Sequence, residues 1–124
     1  MLHHVGLPTL VADVEAEVAF WTLLGFSVVE PPDPSLVARA TWLEAPGGTQ
    51  IHLLYASDPA PRAGHLAVVA PEPFEATLAS LTAAGHTVDP RTPHWGAPRA
   101  YVHSPGGHLV ELMAWPPPPA LPAP

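Results

Sequence analysis

The sequence predicts an α+β fold built from one βαβββ unit made twice. Three observations predict it: an internal repeat, a helix-to-strand alternation that recurs with that repeat, and glycines at matching helix ends. The segment 42–53, WLEAPGGTQIHL, realigns 59 residues on with 101–112, YVHSPGGHLVEL. His4-Val5-Gly6-Leu7 matches His65-Leu66-Ala67-Val68 at a shift of 61, and Leu24-Gly25-Phe26 matches Ala84-Gly85-His86 at a shift of 60. Two copies of this length point to a duplicated supersecondary unit rather than a solenoid, which needs more and shorter repeats. The alignment also pairs His52 with Glu111, and His4 with His65, so each copy carries two metal-capable side chains at equivalent places.

Each copy opens with a short apolar strand, expected at 2–7 and 65–69. A helix follows, at about 12–24 and 73–84, where Val14, Val18 and Trp21, like Phe74, Leu78 and Leu81, fall at i, i+4 and i+7, the stripe of a helix packed on one side. Asp13, Glu15 and Glu17 suit the first helix's opening turns, where carboxylates favour the dipole, and Pro73 suits the start of the second. Gly25 and Gly85 stand where a left-handed residue ends a helix. A strand then follows each glycine, at 26–30 and 86–88, and after a Pro-rich loop comes a hairpin. Its strands are expected at 37–44 and 49–55, and again at 100–103 and 108–115. Pro46-Gly47 and Pro105-Gly106 carry the Pro at i+1 and Gly at i+2 that a type II turn prefers.

The chain reads as one domain over 1–116, with module one at about 2–56, module two at about 64–115, a linker at 57–64 and a Pro-rich extended tail at 117–124. With 124 residues, 48% of them hydrophobic, it can bury a core without staples, and it has none, because it contains no cysteine. Disulfides, thiolate metal sites and cysteine nucleophiles are therefore excluded. Four arginines, no lysine and eleven carboxylates give a formal charge of -7. Nucleic-acid binding, which needs cations to neutralise phosphates, is not expected, and polyanionic substrates are disfavoured. No apolar run reaches the ~18 residues of a membrane span and no basic leader opens the chain, so a cytoplasmic protein without membrane association is expected.

Strand side chains alternate between faces. His52 then shares a face with Gln50 and Leu54, and Glu111 with Leu109 and Met113, while Ile51, Leu53, Val110 and Leu112 point towards the helices. By the same alternation Val5 and Leu7 face the helix, which places His4, rather than His3, on the mixed face together with His65. A lone histidine is most often an ordinary hydrogen-bonded imidazole. Four repeat-related candidates on one face point instead to a metal site, in which a carboxylate such as Glu111 can stay ionised beside a cation.

Four stretches together carry a family resemblance: His4-Val5-Gly6-Leu7, Phe20-Trp21-Thr22-Leu23-Leu24-Gly25-Phe26, Gly64-His65-Leu66-Ala67, and Ser104 to Leu112 (SPGGHLVEL). On these, which span nearly the whole chain up to Trp115, the sequence resembles the vicinal oxygen chelate superfamily, also called the glyoxalase, bleomycin-resistance and dioxygenase superfamily. The resemblance implies two βαβββ modules forming a curved mixed sheet around a metal-binding cup. It also implies one divalent metal held by His4, His52, His65 and Glu111. Three imidazoles and a carboxylate suit Ni, Co, Fe, Zn or Mn rather than Ca or Mg. Glu111 would be both ligand and catalytic base. His52 departs from glyoxalase I relatives, which carry glutamate there.

The implied activity is glyoxalase-like lyase or isomerase chemistry on a small oxygenated substrate. The alternatives are a non-haem iron dioxygenase using His4, His65 and Glu111, and a metal-free sequestering protein of the bleomycin-resistance type. Family analogy implies a homodimer, whose cups close either within one chain or by exchange of modules between two. For the substrate, Gln50 beside His52 and the loop from Arg91 to Arg99 are the expected contacts: Arg99 or His94 on a polar group, and Trp95 as an apolar wall. His103 and His108 are expected to be solvated, and His86 to act as a favourable charge at a helix end. Trp42, Tyr101 and Trp115 are expected as core or interface aromatics.

Overall fold

The computed structural model describes residues 2–58, 64–93, 95–119 and 122. Module one comprises β1 (His4–Thr9), α1 (Val14–Leu23) entered through a 3-10 turn at Val11–Asp13, β2 (Ser27–Val29), β3 (Ala40–Glu44) and β4 (Gln50–Tyr55). A further 3-10 turn at Pro34–Ala38 precedes β3. Module two repeats the order with β5 (His65–Val69), α2 (Phe74–Ala83), β6 (Asp89–Arg91), β7 (Arg99–His103) and β8 (Leu109–Met113). Each module forms its own mixed four-stranded sheet, in the orders β1-β4-β3-β2 and β5-β8-β7-β6. In both, the first and last strands pair in parallel and the rest antiparallel. The α+β fold and its duplication are therefore as the repeat predicted.

The helix ends show how closely the two copies agree. Phe26 donates its backbone N–H to the Trp21 carbonyl and Gly25 to that of Thr22, and His86 and Gly85 do the same to Leu81 and Thr82. This is the Schellman pattern, and it needs the left-handed backbone that Gly25 and Gly85 adopt at φ 91° and 93°. The hairpin turns are also alike but differ from the expected type II. Gly48 and Gly107, not Gly47 and Gly106, have positive φ, and Gly48 N–H meets the Ala45 carbonyl as Gly107 N–H meets that of Ser104. Each is a type I turn closed by a left-handed glycine, the geometry of a hairpin with a one-residue bulge.

Two further expectations shift. The second strand of module two is Asp89–Arg91, not 86–88. Proline is tolerated there because β6 lies at the sheet's edge, where a missing N–H costs no ladder bond. In α1 the buried face is Glu17, Phe20 and Trp21, with Val14 and Val18 only partly covered. The core runs between helices and sheets: Leu7, Leu43, Ile51 and Leu53 of the first sheet and Val102, Val110 and Leu112 of the second all lie within it. That leaves the other face of each sheet for the site. No helix among the described residues is long and apolar enough to cross a membrane.

Candidate functional site

Pairing register decides which side chains meet on the open faces. In module one, Trp42 lies directly opposite His52 across β3 and β4, and β1 runs parallel alongside with Gly6 opposite His52. The imidazole of His4 lies over that of His52, with ring centroids 4.1 Å apart and planes within 16°. Trp42 covers the other face of His52 at 3.9 Å and 7°. The result is a three-ring stack, Trp42, His52 and His4, in which the middle ring is 6% exposed. Burial between the two rings, followed by the nearby His4 and His3, holds the His52 pKa below the usual histidine range. Gln50 Oε1 accepts a hydrogen bond from His52 Nε2 at 2.9 Å and Gln50 Nε2 donates to Glu44 at 3.1 Å, so Gln50 orients His52.

Module two places its equivalents on the same kind of row. Tyr101 lies opposite Glu111 across β7 and β8, with Ala67 of β5 opposite Glu111 on the other side. His65 Nε2 lies 3.2 Å from Glu111 Oε2, and Arg99 Nη1 lies 3.2 Å from Glu111 Oε1. Arg99 is 8% exposed and also donates from Nε to the Thr92 carbonyl at 2.8 Å. The predicted substrate arginine is thus engaged with the carboxylate itself, steadying one oxygen while the other faces His65. Arg91 Cζ stands 4.9 Å and Arg99 Cζ 5.4 Å from the centre of the Tyr101 ring.

The four expected ligands are therefore brought together two by two, one pair per module. Within a single chain the pairs stay apart: among the described residues, no group of three or more His, Asp or Glu is close enough to hold an ion. Val5, Gln50 and Ile51 of one module and His65, Leu66 and Val68 of the other line a groove of about 320 Å³ at the junction. The His65–Glu111 pair fits a divalent metal well, because two donors bound at ~2.1 Å and at right angles lie about 3.0 Å apart. The His4–His52 pair supplies the right donor type in a different pose. Lone pairs lie in the ring plane, so stacked imidazoles do not aim at one point until a ring turns.

Of the other expected site residues, Trp95 donates its indole N–H to the Trp115 carbonyl at 3.3 Å. His94 lies outside the described residues, as does most of the linker. His108 is not simply solvated, since its Nε2 approaches the Pro8 carbonyl at 3.1 Å and so joins the modules. His86 packs edge-on against Phe20 at 5.1 Å. Sequence reasoning missed Trp42 and Tyr101 as site residues. The signal was present, because the shift of 59 that equates His52 with Glu111 also equates Trp42 with Tyr101.

Glu17 does lie in the opening turns of α1, and it is also wholly buried, accepting from the Trp21 indole at 2.8 Å and from the Gly106 backbone N–H at 2.6 Å. It ties α1 of module one to the hairpin turn of module two.

The family model described as Glyoxalase/Bleomycin resistance protein/Dioxygenase superfamily matches residues 1–112. The chain belongs to that superfamily. Its fold is shared by a glyoxalase family protein from Bacillus anthracis, with a TM-score of 0.76 and 22% identity over 91% of this chain and 93% of that one. A glyoxalase/dioxygenase from Nostoc punctiforme gives 0.74 and 24% over 91% and 89%, and the oxidase ChaP-H2 gives 0.74 and 21% over 94% of both chains. No curated protein sequence matches the chain.

Proposed function

We propose that this superfamily member is a divalent-metal-dependent enzyme of glyoxalase-like character, carrying out lyase or isomerase chemistry on a small oxygenated molecule. Its site would form in a homodimer, where His4 and His52 of one protomer meet the His65–Glu111 pair of a second copy. The observation that carries this reading is the split itself: each module holds one pair on its open face, and among the described residues neither pair has a third His, Asp or Glu near enough to share an ion. A second copy, related by twofold symmetry, supplies the missing half to both sites at once.

A transition-metal ion bound there would supply a Lewis acid that steadies negative charge developing on a substrate oxygen. The chain's own residues account for the rest. Glu111 is the proton-transfer group, with Oε1 fixed by Arg99 and Oε2 turned to the open face. His65 Nε2, 3.2 Å from Oε2, is the donor that would hold the metal beside Glu111. Trp42, stacked on His52 at 3.9 Å, would wall the other half and limit water there.

Metal analysis of protein purified without a histidine tag tests the reading. About one equivalent of transition metal per chain is expected, falling to background in the double variant His65→Ala/Glu111→Gln. Less than roughly a tenth of an equivalent in the unmodified protein, with none regained on incubation with metal, contradicts it.

A further inference from the structure

The substrate's charge is legible in module two. The chain carries -7 overall and only four cationic side chains, all arginine. Arg62 lies outside the described residues and Arg39 is exposed in the turn before β3. The other two, Arg91 and Arg99, converge on the one ring of Tyr101, next to Glu111.

They are employed differently. Arg99 is buried and bound to Glu111 and the Thr92 carbonyl. Arg91 has a side chain 46% exposed and makes a 3.1 Å pair with Asp89, itself 58% exposed. Such an exposed pair is worth little and gives way readily. The Nε–H and Nη2 edge of Arg91 has no partner among the described residues, and this edge is the fork that takes a carboxylate through two parallel hydrogen bonds. Tyr101 holds the guanidinium by its ring face, so less side-chain freedom is lost when an anion binds. Arg91 and Arg99 are directly paired across β6 and β7, and Tyr101 and Glu111 across β7 and β8, so all four project on the open face. Two strand spacings, or about 10 Å, separate β6 from β8, which a molecule of a few carbon atoms can bridge between the tips of the side chains.

We propose that the site takes a small monocarboxylic acid bearing a further oxygen function, its carboxylate bound by Arg91 above Tyr101 and its oxygenated end directed at Glu111 and His65. The local charges explain the choice of a monoanion. Arg91 and Arg99 are balanced by Asp89 and Glu111, so one negative charge meets no net repulsion locally, whereas a polyanion meets the -7 of the whole chain. This inference rests on the proposed function for the location of the reacting end, but not for the carboxylate contact.

The test is a ¹⁵N NMR titration of the chelator-treated, metal-free protein with glycolate against glycolamide and with benzoate against benzamide. Each acid is expected to bind at least tenfold more tightly than its amide, with shifts centred on Tyr101 and the Arg91 Nε–H. Arg91→Gln should erase that preference and Arg91→Lys retain part of it, both with unfolding midpoints close to that of the parent. Equal binding of acid and amide, no binding of either acid, a preference that survives Arg91→Gln, or shifts mapping away from Tyr101 would each overturn the proposal. Because the titration contains no metal, an acid preference that depends on Arg91 stands even if metal analysis defeats the proposed function.

Discussion

Replacing Glu17 by alanine should weaken the whole molecule through two hydrogen-bond donors at once. Its carboxylate accepts from the Trp21 indole N–H at 2.8 Å and the Gly106 N–H at 2.6 Å, and both Glu17 and Trp21 are fully buried. An orphaned buried donor costs about 1–3 kcal/mol, and bonds to a charged acceptor lie at the upper end. Removing a buried charge returns some of its desolvation cost. The net loss expected for Glu17→Ala is therefore about 2–4 kcal/mol, against a total of roughly 6–15 kcal/mol for a domain of this size. In urea, with a slope of about 2 kcal/mol/M, the midpoint should fall by about 1–2 M.

The same carboxylate explains why residue 106 is glycine. A Cβ there would stand 2.7 Å from Glu17 Oε1, so Gly106→Ala should also destabilise, and less so in the Glu17→Ala background. Trp21→Phe removes one of the two donors, so its cost and that of Glu17→Ala should sum to more than the double variant loses, by about 1 kcal/mol. A Glu17→Ala midpoint within about 0.5 kcal/mol of the parent would refute the inter-module tie, and full additivity with Trp21→Phe would refute the Glu17–Trp21 bond.

Arg99→Met should cost about 3–5 kcal/mol in urea unfolding, because it leaves the Glu111 carboxylate buried without its cation; a loss below about 1 kcal/mol would show that the pair does not hold Glu111 in place. Trp42→Ala opens one face of His52 to water, so the His52 pKa, followed by NMR, should rise towards the ordinary histidine value; no change would remove burial as the leading cause of its depression. Since the folded His52 pKa is the lower one, protonation favours the unfolded chain: the metal-free protein should lose stability as pH falls below about 6.5, and His52→Gln should flatten that part of the pH profile. An unchanged profile in His52→Gln would show that other groups set it.

Much of this was legible because duplication leaves a register. The shift of 59 fixed His52 and Glu111 as equivalents, and the two-residue period of a strand placed each on the face away from the helix, where the structure has them. Gly25 and Gly85 revealed their helix ends because only a residue tolerant of positive φ closes a Schellman turn. What escaped was set by contacts distant in sequence. Glu17 looked like a favourable charge near a helix start, and nothing periodic announces that Gly106, 89 residues on, would close over it. The ion pair of Arg99 escaped notice because its partner, Glu111, is supplied by the neighbouring strand. β6 was misplaced because Pro90 signals a loop unless the strand is known to lie at an edge. The separation of the two ligand pairs depends on how the modules pack, for which a repeat carries no pattern.

The proposed enzyme depends most on one metal site being shared between two protomers. The variants His4→Ala/His52→Ala and His65→Ala/Glu111→Ala each leave one pair intact, and metal content per chain can be measured for each alone and for an equal mixture unfolded and refolded together. Each alone should hold background metal, while the mixture should recover about a quarter of an equivalent per chain, since half of randomly formed dimers contain one whole site. A mixture no better than its components, with the unmodified protein fully loaded, would contradict assembly of the site from two chains.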